Sequence, residues 1–285
     1  MSRPLTFAPP AGTHAGPLRT SRGTFASLVT PAAGSAAPEP RPTVLLLPGF
    51  TGSKEDFTAM LQPLATAGYR VVAVDGRGQY ETPGPDDQAA YTQGELARDL
   101  LAQAAAVGTP VHLVGHSLGG QIARAAVLLD PAPFASLTLI SSGPAEVTAA
   151  QQQKIKLLTD ALARLGMEQV WEAMRAMGPP QDADTDGEPA LRRRWLMHNP
   201  AQLMATGRQL STEPDRVDEL AALPLARHVV SGESDDTWPV PLLDEMAVRL
   251  GAVRSVIAGA EHSPNTDRPE RTAEALTAFW DRHCG

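Results

Sequence analysis

The residues that could do chemistry gather around one serine. Ser117 lies in Gly115-His116-Ser117-Leu118-Gly119, with Gly120 following. The apolar run "VHLVG" stops at the first glycine, and the helical pattern "LGGQIARAAVLLD" starts just after the serine. Glycines flanking a hydroxyl between strand and helix predict a turn so sharp that a Cβ at 115 or 119 would strike a neighbour. Such a turn presents Oγ at the strand tip, with a helix N-terminus behind it to favour developing negative charge. A serine hydroxyl is a weak nucleophile until a base, oriented by a third group, takes its proton. Of the seven histidines, His262 in "GAEHSP" follows the last apolar strand pattern and is the expected base. His112 falls inside a strand, and His116 must point away from Ser117 Oγ. His14, His198, His228 and His283 have no placement near a strand's carboxyl end. For the third group, "SGESDDTWP" ends another strand and offers both Asp235 and Asp236.

These groups need a scaffold, and the pattern around them supplies one. Short apolar runs, "TVLLLP", "YRVVAVD", "VHLVG", "FASLTLISS", "LARHVVSG" and "VRSVIAG", alternate with helical stretches. Ser53 is placed to start the first helix, with acids in its first turn and Gly68 as its stop. The alternation predicts an α/β fold: a mostly parallel central sheet with helices on both faces and functional loops at the carboxyl ends of its strands. An early strand is expected in "RGTFASLVTP". Residues 145–222 break the rhythm with two helical stretches divided by the polar loop "PPQDADTDGEP", and read as an inserted helical cap. The expected organisation is an N-terminal extension (1–42), a core (43–144 and 223–285) and the cap (145–222).

Composition narrows the class. The chain of 285 residues is 42% hydrophobic and 20% charged, which suits a globular protein with a large core. A formal net charge of −8 disfavours nucleic acid and anionic membranes as partners. Cys284 is the one cysteine, so no internal disulfide can form. No secretory signal or membrane-spanning run is visible, and a cytoplasmic location is expected. No metal-binding or nucleotide-binding motif is present, so no cofactor is expected.

Five segments, "LLLPGFTGS", "VDGRGQYETPGP", "GHSLGG", "SGESDDTWP" and "GAEHSP", together resemble the α/β-hydrolase superfamily over about residues 20–285. The order serine, aspartate, histidine is that of the superfamily. The resemblance implies a serine esterase-like enzyme with a helical cap. It selects Asp235, three residues after Gly232, as the triad acid, with Asp236 as runner-up. It also implies an oxyanion hole formed by the N–H groups of Leu118 and Phe50, with Thr51 as the alternative to Phe50. The chain departs from the family in having Pro48-Gly49 where His-Gly is common, and Tyr80 in place of a glycine. Asp75, Arg77 and Gly78 are expected to be structural, with Tyr80 at the pocket rim. Trp171, Met174 and Met177 share a helix face. Together with Trp195 and Trp238, Trp171 and Met174 are candidates to line a substrate pocket, although such a face can equally seal a cap onto a sheet. Arg192, Arg193 and Arg194 read as a solvated run. The expected activity is hydrolysis of a small-to-medium, largely apolar ester, lactone or thioester. A receptor-like binding protein, a cofactor-free perhydrolase and a C–C hydrolase are the alternatives on the same residues.

Overall fold

The structure is a computed structural model and describes residues 2–34, 41–177 and 187–283. Cys284 and most of the polar loop in the insertion lie outside the described residues. The chain opens with a hairpin of β1 (His14–Thr20) and β2 (Gly23–Thr30). There follow β3 (Thr43–Leu47), α1 (Thr58–Thr66), β4 (Val71–Val74), α2 (Gln93–Val107), β5 (Val111–His116), α3 (Leu118–Leu129) and β6 (Phe134–Ile140). Then come α4 (Ala149–Leu162), α5 (Met167–Met177), α6 (Glu188–Met197), α7 (Pro200–Leu210) and α8 (Val217–Ala221). The core resumes with β7 (Ala226–Gly232), α9 (Val240–Leu250), β8 (Val253–Ile257), α10 (Pro264–Asp267) and α11 (Pro269–His283).

The described strands form one sheet in the order β1-β2-β4-β3-β5-β6-β7-β8. β1 and β2 run antiparallel, and all pairings from β4 through β8 are parallel. β1 is the strand the sequence did not announce. It contains Gly16 and Pro17, poor strand formers that an edge position tolerates. The central strands are buried throughout, and their side chains alternate between two cores. Leu45, Val72 and Leu113 meet α2, α3 and α9 on one face. Val44, Val71 and Val114 meet α1 and α11 on the other.

The two helical stretches expected in the insertion are four helices plus the short α8. One break comes at residues 163–166. The other comes at His198-Asn199-Pro200, where the Asn199 side chain caps α7 by accepting from the Ala201 N–H at 2.8 Å. The insertion has its own apolar cluster, built from Leu162, Val170, Trp171, Leu191, Trp195 and Leu203. Its return to the sheet is fastened by a buried ion pair. Arg124 of α3 donates to Glu213 at 2.7 Å and to the Pro144 carbonyl at 2.7 Å.

Four buried histidines make the fold acid-sensitive. Burial pushes His112, His116 and His198 down to about 4 and His228 to about 3. Each is neutral when folded and titrates near 6.5 when unfolded, so the unfolded chain binds more protons below that pH. Each therefore contributes stability that is present above about pH 6.5 and is lost toward pH 4, at about 1.4 kcal/mol per pH unit. Asp75, pushed up to about 7 by burial, works in the opposite sense over the same range. One such group offsets only one of four. Urea unfolding at pH 7.5, 6 and 5 is expected to show a midpoint that falls steeply with acid. A flat profile would contradict the burial of these rings.

Candidate active site

Ser117 stands between β5 and α3 with φ 52°, a left-handed value that a non-glycine side chain adopts only under strain. The tightness of the turn explains its glycines. A Cβ on Gly115 would lie 2.4 Å from the Gly119 carbonyl oxygen, and one on Gly119 would lie 2.5 Å from that of Pro48. The Ser117 N–H donates to the Ile140 carbonyl at 2.9 Å, which fixes the turn to the end of β6.

The loop after β8 brings His262 Nε2 to 3.2 Å from Ser117 Oγ. The other ring nitrogen, Nδ1, lies 2.9 Å from both carboxylate oxygens of Asp235, in the loop after β7. The Asp235 carboxylate is fully buried, although its backbone is partly exposed. Its Oδ1 accepts from the N–H groups of Thr237 at 2.8 Å and Trp238 at 3.1 Å, so the carboxylate is held before the imidazole meets it. Asp236 points outward, its side chain 69% exposed, and meets Gln151 and Lys154 of α4. His116 lines the same cavity as Ser117 but makes no hydrogen bond to its Oγ among the described residues. Its Nε2 lies 3.0 Å from the His262 carbonyl, so it steadies the backbone of the loop carrying that ring.

The loop after β3 lies against the serine: a Cβ on Gly49 would sit 3.1 Å from Ser117 Cβ. The N–H groups of Phe50 and Leu118 have no acceptor among the described residues. Two backbone donors without partners beside a hydroxyl are suited to a developing oxyanion. Residues with positive φ recur at this edge of the sheet. Thr51, Tyr80, Ser117 and Ser141 follow β3, β4, β5 and β6 in turn.

A cavity of about 390 Å³ opens over Ser117 and His262. Its outer wall is Val147, then Gln151, Lys154 and Ile155 of α4, and Leu210 of α7. The bulky side chains expected there lie elsewhere, and each has a partner that holds it. Trp171 and Trp195 fill the core of the insertion, with Met174 packed against them. Trp195 also donates its indole N–H to the Met167 carbonyl at 2.7 Å. Trp238 is fully buried, donates to the carbonyls of Ala145 and Glu146 at 3.1 Å, and braces Asp235 through its backbone. Tyr80 lies beneath Lys54, whose Nζ is 4.7 Å from the ring centre. Met177, expected on the same helix face as Met174, is 80% exposed.

The sequence reading missed a buried cluster behind the serine. Arg194 of α6, read as solvated, is fully buried and donates to Asp56 Oδ1 at 2.7 Å. Its neighbours behave as read: Arg193 is exposed, and Arg192 makes only an exposed pair with Glu168. Asp56 had read as a first-turn acid favouring a helix start. It does so, its Oδ2 accepting from the Ser53 N–H at 3.3 Å, and the same oxygen also accepts from Ser2 Oγ at 2.6 Å. His198, at the corner between α6 and α7, places Nε2 3.1 Å from the Gly52 carbonyl. A second cluster surrounds Lys54, which meets Glu55 and Asp75 at 2.9 Å and Glu81 at 2.7 Å. The surplus of carboxylates helps to push both Lys54 and Asp75 upward. Arg77 forms a two-point pair with Asp99. Among the described residues no group of three or more His, Cys, Asp or Glu side chains is placed to hold a metal ion. No described helix is long and apolar enough to cross a membrane.

Comparison with known proteins agrees with this architecture. A pimeloyl-[acyl-carrier protein] methyl ester esterase of Methylococcus capsulatus is 30% identical over 265 residues, covering 84% of this chain and 94% of that one. A putative carbamate hydrolase of Variovorax paradoxus is 41% identical over 100 residues, 35% of this chain and 37% of that one. A thermophilic esterase from Thermogutta terrifontis shares the fold with a TM-score of 0.74 and 22% identity, over 95% of this chain and 100% of that one. The model of the alpha/beta hydrolase family matches residues 44–275. With the sheet order, the turn at Ser117 and these matches together, the chain belongs to the alpha/beta hydrolase family.

Proposed function

We propose that the chain is a serine esterase that cleaves a small-to-medium carboxylic ester through an acyl-enzyme, with residues 145–222 as its cap. The observation that carries this reading is the unbroken chain Ser117–His262–Asp235, at 3.2 Å and 2.9 Å, opening into a 390 Å³ cavity. Ser117 Oγ attacks the ester carbonyl carbon while His262 Nε2 takes its proton. The carbonyl oxygen gains negative charge and is met by the N–H groups of Phe50 and Leu118. Asp235 holds the ring with its proton on Nδ1 and stabilises the imidazolium that forms. The alcohol leaves with the proton from Nε2, and water then releases the acid by the same steps in reverse roles. Relatives named as esterases over 84% of the chain support the ester as the bond cleaved. The test is a p-nitrophenyl ester burst together with fluorophosphonate labelling. One equivalent of p-nitrophenol and a tagged Ser117 peptide are expected. Absence of both would overturn the reading.

The length limit of the substrate rests on Ile155. This side chain lines the catalytic cavity and also an outer groove of about 860 Å³ between α4 and α7. It packs against α7 at Gly207, where a Cβ would come within 3.0 Å of it. Ile155→Ala is expected to join the two spaces. Its kcat/KM for octanoyl esters should rise on the order of tenfold, with acetyl esters little changed, since a few buried methylenes are worth that much. An unchanged chain-length profile would place the acyl group elsewhere.

A further inference from the structure

The loop that bears the Phe50 N–H is held from outside the sheet. Residues 48–53 begin at Pro48 and are braced near Gly49, whose carbonyl accepts from the Gly52 N–H and from the Gln79 amide, both at 3.1 Å. Gly52 is the point of contact. Its carbonyl faces His198 Nε2 at 3.1 Å. A Cβ on Gly52 would lie only 2.4 Å from Asp56 Oδ2, so the carboxylate packs directly on its Cα. That carboxylate also takes the Ser53 N–H at 3.3 Å. Asp56 is anchored by Arg194 at 2.7 Å, and its own carbonyl accepts from Asn265 at 3.0 Å, three residues beyond His262. Arg194 and His198 both belong to the insertion, at the end of α6 and in the corner that follows it.

We propose that Arg194 and His198 are positioning residues through which the cap sets the oxyanion loop against Ser117, a role that rests on the hydrolase reading above. The exposed pair Arg192–Glu168 cannot do this, being screened by solvent and touching no part of the loop. Arg194–Asp56 differs because both groups are fully buried and Asp56 reaches the loop backbone. Burial keeps His198 neutral, so its ring has one N–H to give. The ring spans two carbonyls, with Nδ1 2.8 Å from that of Arg194 and Nε2 3.1 Å from that of Gly52, so it ties the end of α6 to the loop. The positioning role takes the hydrogen to be on Nε2, where it fixes the Gly52 carbonyl and with it the tilt of the Phe50 peptide. Cap residues then contribute to stabilising the tetrahedral intermediate without touching substrate.

The test separates positioning from folding. Breaking a buried pair from one side leaves an unpaired charge, so Arg194→Met alone would be ambiguous. The informative variants are His198→Phe, His198→Gln and the double variant Asp56→Leu/Arg194→Met, which replaces the pair by apolar side chains. Each is checked for its melting temperature and for kcat, KM, inhibition by an alkyl boronic acid and rate of fluorophosphonate labelling. His198→Phe and the double variant are expected to stay folded with KM within about twofold. Their kcat, boronate affinity and labelling rate should all fall on the order of tenfold or more, below the full loss of one oxyanion donor. His198→Gln, whose amide can still donate toward Gly52, should recover most of the loss. Wild-type kcat and labelling rate in the folded variants would overturn the positioning role while leaving the hydrolase reading intact. A wild-type protein that is never labelled at Ser117 would overturn both. An equal loss in His198→Phe and His198→Gln would overturn the Nε2 contact as the operative one.

Discussion

Ser117→Ala is expected to lower ester turnover on the order of a millionfold, the scale of losing a hydroxyl nucleophile that works together with its base. The substitution removes only Oγ. The N–H that ties position 117 to the Ile140 carbonyl remains, as do the glycines that shape the turn, so the melting temperature should stay close to wild type. Residual activity should come from the free N–H groups of Phe50 and Leu118 polarising the carbonyl toward water. Steady-state hydrolysis and fluorophosphonate labelling of the variant provide the check. Turnover above about one per cent of wild type would mean that another group attacks the ester.

Asp235→Asn should lower kcat on the order of 10⁴-fold, and Asp236→Asn by no more than a few-fold. An asparagine oxygen at 235 can still accept from Thr237 and Trp238, so the loop keeps its shape. Its amide then presents N–H to His262 Nδ1, and the ring must carry its proton on Nε2. That proton faces Ser117 Oγ, where a lone pair is needed. Asp236 has no such leverage, since its contacts are Gln151 and Lys154 at the outer surface. Measuring kcat for both variants on one ester decides the point. The reverse ranking would transfer the acid's role to Asp236.

Much of this architecture was readable because the features concerned are local. The turn at Ser117 announces itself through Gly115 and Gly119, each of which meets backbone. His262 and Asp235 stand in loops just past strands whose apolar runs are short and sharply ended. What was not readable depends on which side of a helix faces inward. Arg194 was read as one of three adjacent arginines. Yet Leu191, Arg194, Trp195 and His198 fall at positions i, i+3, i+4 and i+7, and all four are buried. The spacing carried the signal, and the charge obscured it. The cavity wall was hidden for a different reason. Large apolar side chains such as Trp171 and Trp195 bury more area by packing with one another than by edging an open cavity. The wall fell to medium-sized residues of α4, whose polar neighbours made that helix look like surface. β1 stayed hidden because edge strands accept Gly16 and Pro17.

The buried ion pairs also bear on how far this protein can be treated as modular. Exchanging the insertion, proposed above as a cap, for that of another hydrolase is an attractive route to new specificity, and residues 145 and 222 look like natural seams. Among the described residues, two fully buried ion pairs cross those seams. Glu213 would leave with the insertion and strand Arg124 in the core, and Arg194 would leave and strand Asp56. Stranding one member of a buried pair costs about 3–5 kcal/mol, so two such losses approach the whole stability of a typical domain. A chimera that carries Arg124–Glu213 and Asp56–Arg194 across as intact couples should fold where a graft cut at the sequence boundaries would not.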